Sequence, residues 1–116
     1  MRVRVLVTGG TFDKEYDELT GALSFRKTHV PEMLALGRCR IPVTTSVLMM
    51  KDSLLMTAAD RRRILTACRR AKEKRLVVTH GTDTMARTAA VLGKALTGKT
   101  VVLTGAMRPY RFGSSD

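Results

Sequence analysis

Three short blocks of the chain set hydroxyls beside glycines: Thr8-Gly9-Gly10-Thr11, Thr79-His80-Gly81-Thr82-Asp83-Thr84 and Thr104-Gly105. Glycine lets the backbone turn sharply and come close to a ligand. Hydroxyls and one carboxylate, Asp83, add side chains that bind and orient a small polar molecule. Backbone N–H groups at a turn that opens a helix add favourable partners for anions. The chemistry on offer is therefore that of a small-molecule crevice, provided the fold brings the blocks together. Each block has a plainer reading. Thr11 can be a threonine closing a strand end, and Asp83 an acid in the first turn of a helix, favoured by the helix dipole. His80 stands alone, with no Cys or His at ligand spacing, so a structural role in the turn is the better reading and no metal is expected.

The elements that must position these blocks follow from the pattern between them. Val3 to Val7 forms a short apolar strand that ends at the first block. Residues 12–28 are polar and mixed, with Gly21 in the middle, and read as a mobile loop able to cover a site. His29-Val30-Pro31 opens a short helix that Gly37 caps. Ile41 to Met50 reads as a strand with Pro42 at its start, where a missing N–H is harmless. Lys51 to Ser53 is a polar break. Thr57 with Asp60 is a capping box carrying Asp where Glu is usual, and Ile64, Leu65, Ala67, Cys68 and Ala71 give the apolar stripe of the helix that follows. Leu76 to Thr79 is the third strand, Met85 to Leu96 the third helix, and Thr100 to Thr104 the fourth strand. Alternation of strand and helix predicts an α/β fold: a three-layer open parallel sheet with flanking helices, of the Rossmann or flavodoxin type. All three blocks then fall at strand carboxyl ends, on one edge of the sheet, where such folds bind ligands.

Composition narrows the classes. At 116 residues and 44% hydrophobic, the chain is one domain, residues 1–116, with enough apolar material for a core. Aromatics make up only 4%, so that core must be aliphatic and Met-rich. No long uncharged apolar run indicates a membrane span. The apolar start, Val3 to Val7, is too short for a signal peptide. Cys39 and Cys68 lie in unrelated contexts and read as two buried thiols of a reducing cytoplasm. The net charge of +11 invites nucleic acid as a partner. Much of it, however, lies between Arg61 and Arg75 with helical spacing and no interleaved aromatics for base stacking, which favours a solvated helix face.

The three blocks resemble the L-asparaginase family. Thr8-Gly9-Gly10-Thr11 is similar to the family's first threonine motif, Thr79 to Met85 to its second, and Leu103-Thr104-Gly105-Ala106-Met107-Arg108-Pro109 to the strand and turn that follow. The seven-residue second block is the specific one. The loop residues Thr11-Phe12-Asp13-Lys14, Tyr16 and Thr20-Gly21-Ala22 look most like the compact asparaginases that lack a second domain. The resemblance implies hydrolysis of the side-chain amide of L-asparagine to L-aspartate and ammonia, with no cofactor. Thr11 would be the nucleophile, with loop Tyr16 helping to activate it. Thr82 and Asp83 would match the second threonine and its aspartate, Asp83 also holding the substrate's α-ammonium. Ser53 would hold the α-carboxylate, and the turns at Gly10 and Gly81 would lie against the substrate, backbone N–H groups stabilising the oxyanion. A homo-oligomer, dimer or tetramer, is implied as well.

Two departures stand beside the resemblance. Leu54 and Leu55 follow Ser53 where the family has polar residues. The family's catalytic lysine lies downstream of the Met-Arg-Pro block, so the domain is expected to be incomplete at its C-terminus. The same fold also allows an amidotransferase subunit that supplies ammonia for aminoacyl-tRNA amidation, or an inactive asparaginase-like binding or regulatory domain.

Overall fold

The computed structural model describes residues 1–16, 19–25 and 27–112. Its centre is β1 (Val3–Gly9), which is the innermost strand with β5 although it comes first in the chain. β4 (Val43–Lys51) pairs with one edge of β1 and β5 (Arg75–Thr79) with the other, both parallel; β6 (Thr100–Thr104) then adds to β5, giving the order β4-β1-β5-β6. The expected parallel sheet with flanking helices is present. An all-parallel sheet must be covered on both faces, so its strands read as apolar runs rather than as alternating ones. β1 meets this requirement: Val5, Leu6 and Val7 are all buried.

Successive side chains point to opposite faces, and the core divides accordingly. On one face Leu6, Leu76 and Val78 pack against Ile64, Leu65 and Cys68 of α2 (Ala58–Arg70) and Leu92 of α3 (Met85–Ala95). On the other, Val5 and Val7 pack against Phe12, Ala106 and Val30 of α1 (Val30–Leu36). The three layers are thus α1, sheet, and the α2–α3 pair.

α2 starts with the expected capping box. The Asp60 N–H donates to the Thr57 hydroxyl at 3.1 Å, and the Thr57 N–H donates back to the Asp60 carboxylate at 2.9 Å. Lys51 donates to the same Asp60 Oδ2 at 2.8 Å.

Three expectations are corrected here. Residues 12–28 are not a structureless loop among the described residues. Thr11–Asp13 form one 3₁₀ turn, and β2 (Lys14–Tyr16) pairs antiparallel with β3 (Leu23–Phe25). Phe12 and Asp13 anchor the segment, both buried. The basic stretch is not one solvated helix: α2 ends at Arg70, Arg75 opens β5, and Arg61 is buried. Cys39 is exposed while Cys68 is buried. Cys39 lies past the end of α1, where Arg38 takes a left-handed φ of 54° and the chain leaves the core.

Candidate functional site

The carboxyl ends of β1, β4 and β5 meet at one place, and glycines make the meeting possible. Gly10 has a φ of +99°, and a Cβ there would stand 2.9 Å from the Gly81 nitrogen and the His80 carbonyl carbon. The turn after β1 therefore lies with its backbone against the turn after β5. Gly9, at φ +108°, lies against the Lys51 backbone at the end of β4, and the Gly10 N–H donates to the Lys51 carbonyl at 3.3 Å. Gly105 lies against the His80 carbonyl. No residue with a side chain fits these approaches, which is the physical reason for glycine at each.

Among the expected site residues, Thr11 is half-buried and opens the 3₁₀ turn. Thr82 and Asp83 are exposed at the rim. Asp83 does not stand in the first turn of α3 as its plainer reading supposed, because Thr84 is the N-cap and Asp83 precedes it. Gly81 is buried, and a Cβ on it would stand 2.7 Å from the Ser53 hydroxyl. Ser53 is fully buried beneath that turn. Its hydroxyl accepts the Thr84 N–H at 3.3 Å and its carbonyl accepts the Thr84 hydroxyl at 2.9 Å. Leu54 and Leu55, the two residues that depart from the polar pattern, point outward, 69% and 72% exposed. Tyr16 ends β2 opposite Leu23, and its side chain lies outside the described residues. The structure thus joins Gly10, Gly81 and Ser53 directly and sets Thr11, Thr82 and Asp83 on the turns they form.

His80 has the structural role expected of it. It is fully buried, with Nδ1 2.7 Å from the Gly81 carbonyl and Nε2 2.7 Å from the Thr88 hydroxyl. Thr8 is likewise internal, donating to the Thr79 carbonyl at 2.6 Å and tying β1 to β5. Among the described residues no group of three His, Cys, Asp or Glu side chains is arranged to hold a metal.

Sequence reasoning missed the ring of charges around these turns. Asp13 is fully buried, accepting the His29 N–H at 2.7 Å and the Thr28 hydroxyl at 2.9 Å. Burial pushes its carboxyl above the ordinary range, and those two donors act against the rise. His29, taken as a plain helix-start residue, is 1% exposed, stacks on Tyr110 and lies 3.6 Å from Glu15 and 3.4 Å from Glu32. Lys14 pairs with Asp52 at 2.9 Å, joining β2 to the end of β4 and holding the Asp52 carboxyl below its usual value. The acid three residues after Thr57 was legible; Asp13 and Asp52 gave no signal of burial or pairing, because their partners His29 and Lys14 lie far from them along the chain.

A family model described as "Asparaginase, N-terminal" matches residues 2–116. Solved structures are similar over nearly the whole chain. The thermostable L-asparaginase from Thermococcus kodakarensis is 31% identical with a TM-score of 0.84 over 100% of this chain and 37% of that one. L-asparaginase I from Vibrio cholerae O1 biovar eltor is 26% identical with a TM-score of 0.80, covering 99% and 37%. A probable cytoplasmic L-asparaginase from Campylobacter jejuni is 31% identical with a TM-score of 0.76, again covering 99% and 37%. The chain therefore spans 37% of the length of each of these structures. No curated protein sequence matches it.

Proposed function

The chain belongs to the asparaginase family, whose N-terminal domain its residues 2–116 match, and from that premise we propose that its crevice serves hydrolysis of the side-chain amide of L-asparagine. One observation carries the reading: Gly10 lies with its backbone against His80 and Gly81, so the turns bearing Thr11 and Thr82 bound a single crevice. In this reading the Thr11 hydroxyl attacks the amide carbon. Its proton goes to a base, for which Tyr16 is the candidate from the neighbouring strand. Backbone N–H groups of the two glycine turns face the developing oxyanion. Collapse of the tetrahedral intermediate releases ammonia and leaves an acyl-threonine, which water then cleaves to L-aspartate.

Asp83, exposed at the rim, is the candidate to pair with the substrate's α-ammonium. Ser53 is the candidate for the α-carboxylate. Its hydroxyl already accepts from Thr84 and keeps a proton to donate, but it is fully buried. Contact with substrate requires the Gly81 turn above it to shift. No cofactor takes part. The reading extends to a cytoplasmic homo-oligomer, in which Leu54, Leu55 and Met107, the last 69% exposed, would be covered by a neighbouring subunit.

The test is ammonia release from L-asparagine by the full-length protein beside its Thr11→Ala and Thr82→Ala variants. Release by the parent and its loss in both variants is the expected result; release that persists in both removes the threonine mechanism.

A further inference from the structure

Arg61 sits on the inner face of α2, 9% exposed, while its neighbours Arg62 and Arg63 face solvent. A buried guanidinium is ordinarily paired with a carboxylate; among the described residues Arg61 has no such partner. Its Nε–H donates to the Thr88 hydroxyl at 3.1 Å and its Nη1 to the Met56 carbonyl at 3.4 Å. Nη2 is buried without a hydrogen-bond partner among the described residues. A cation so placed is costly to keep, and what it touches is the underside of the candidate site.

The proton inventory along this line favours one arrangement. The Gly81 carbonyl can only accept, so His80 Nδ1 must carry the hydrogen across their 2.7 Å contact. Arginine can only donate, so it occupies a lone pair of the Thr88 oxygen and leaves that hydroxyl's single proton free. The proton then points along the 2.7 Å contact to His80 Nε2, which in neutral imidazole is an acceptor. A second proton on His80 would have to turn the Thr88 hydroxyl toward the weak acceptor Met56 Sδ, 3.8 Å away, and would set two cations side by side. Burial holds the imidazole below its ordinary value against the Gly81 carbonyl, with the Arg61 charge a smaller contribution in the same direction as burial.

The geometry points to Arg61 as a positioning residue: through Thr88 and His80 it fixes the Gly81–Thr82 peptide so that the Thr82 N–H faces the crevice. The peptide is trans, so with the Gly81 carbonyl drawn down to the His80 ring the Thr82 N–H points the opposite way. The inference rests on the asparaginase reading only for what that N–H meets. The state of the His80 ring is decided independently of any activity.

Ring-nitrogen correlation spectra of the ¹⁵N-histidine-labelled chain, followed across about pH 5–8 where imidazoles change charge, make the test. In the parent, His80 is expected as the Nδ1–H tautomer with an unprotonated Nε2 throughout, while His29 serves as the internal comparison. An Nε2–H tautomer in the parent overturns the proposal whatever the variants do. Arg61→Met keeps the unbranched apolar stem and removes the cation and its donors. His80 is then expected to titrate within the range, with the Thr82 amide resonance moving at the same midpoint; Arg61→Lys, which keeps a charge and a donor, restores the neutral ring. A folded Arg61→Met chain in which His80 and the Thr82 amide stay as in the parent reduces Arg61 to packing and overturns the proposal. Absence of ammonia release with the ring signature intact counts against the proposed function and leaves the positioning role standing.

Discussion

Thr84 is bonded twice to Ser53: its hydroxyl donates to the Ser53 carbonyl at 2.9 Å and its N–H to the Ser53 hydroxyl at 3.3 Å. The two residues follow β4 and β5, strands that do not touch because β1 lies between them. The pair therefore bridges over the end of β1 and closes the crevice from beneath. Thr84→Val keeps the shape and removes one of two donors to the buried Ser53 carbonyl, which keeps the Met56 N–H at 3.2 Å, a loss of about 0.5–1.5 kcal/mol. Urea unfolding should show a lower midpoint at an unchanged slope, and Thr84→Ser should recover most of the difference. A parent-like midpoint for Thr84→Val would show that the bridge contributes nothing.

The two glycines at the junction differ in what a methyl group would meet. At Gly10 it meets backbone at 2.9 Å, in a conformation of φ +99° that L residues rarely adopt; at Gly81 it meets the Ser53 side chain at 2.7 Å. At Gly10 three backbone atoms and the unfavourable φ act together, whereas at Gly81 the φ is ordinary and the Ser53 hydroxyl can rotate away, leaving its Cβ, at 2.8 Å, to shift. Gly10→Ala is expected to cost more than Gly81→Ala, which should lie near the 1–3 kcal/mol typical of overpacking, roughly. The order of the two unfolding midpoints checks this, and the reverse order would refute it.

Acid should weaken the start of α2. The Lys51 ammonium and the Thr57 N–H hold the Asp60 carboxyl down to about 2, against an ordinary 3.8. The folded chain thus binds that proton less tightly than the unfolded one. The contribution is complete above 3.8 and disappears as pH falls through about 2. Because Lys51 is partly exposed, the pair is worth about 1 kcal/mol with its cap. Asp13 acts oppositely: its raised carboxyl favours the folded chain below its unfolded pKa, a benefit lost as pH rises through the folded one. Asp60→Asn should flatten the acid limb of a stability–pH curve, and an unchanged limb would rule the pair out as its cause.

The thiols should separate cleanly by reactivity. Cys39 is exposed, whereas Cys68 is buried on α2 and burial pushes its thiol up. Thiolate is the reactive form, so a disulfide reagent should consume one thiol rapidly in the native chain and the second only on unfolding. Cys39→Ser should abolish the rapid phase; a rapid phase that survives would place Cys68 in contact with solvent.

Much of this architecture was legible because its signals are local. The apolar runs at Val3–Val7, Leu76–Val78 and Thr100–Thr104, the Thr57–Asp60 box, and glycine beside threonine each report what their own neighbours must do. The residues that went unread take their roles from partners far along the chain. Asp13 is defined by His29, Lys14 by Asp52, and Arg61 by Thr88. Arg61 was hidden among arginines that do face solvent, since periodicity assigns a helix face and not the depth to which one long side chain is drawn inward. The β2–β3 hairpin escaped because three-residue strands carry too few positions to show alternation.

The position of β1 has a kinetic side. Val3 pairs with Val43 on one side and Arg75 on the other, so β1 gains neither neighbour until distant segments have emerged. Closing such long loops precedes any reward from pairing. The chain is therefore expected to fold slowly for its size. A ribosome must release the chain as far as β4 before β1 gains its first neighbour, leaving Val5, Leu6 and Val7 in need of shelter on the way out.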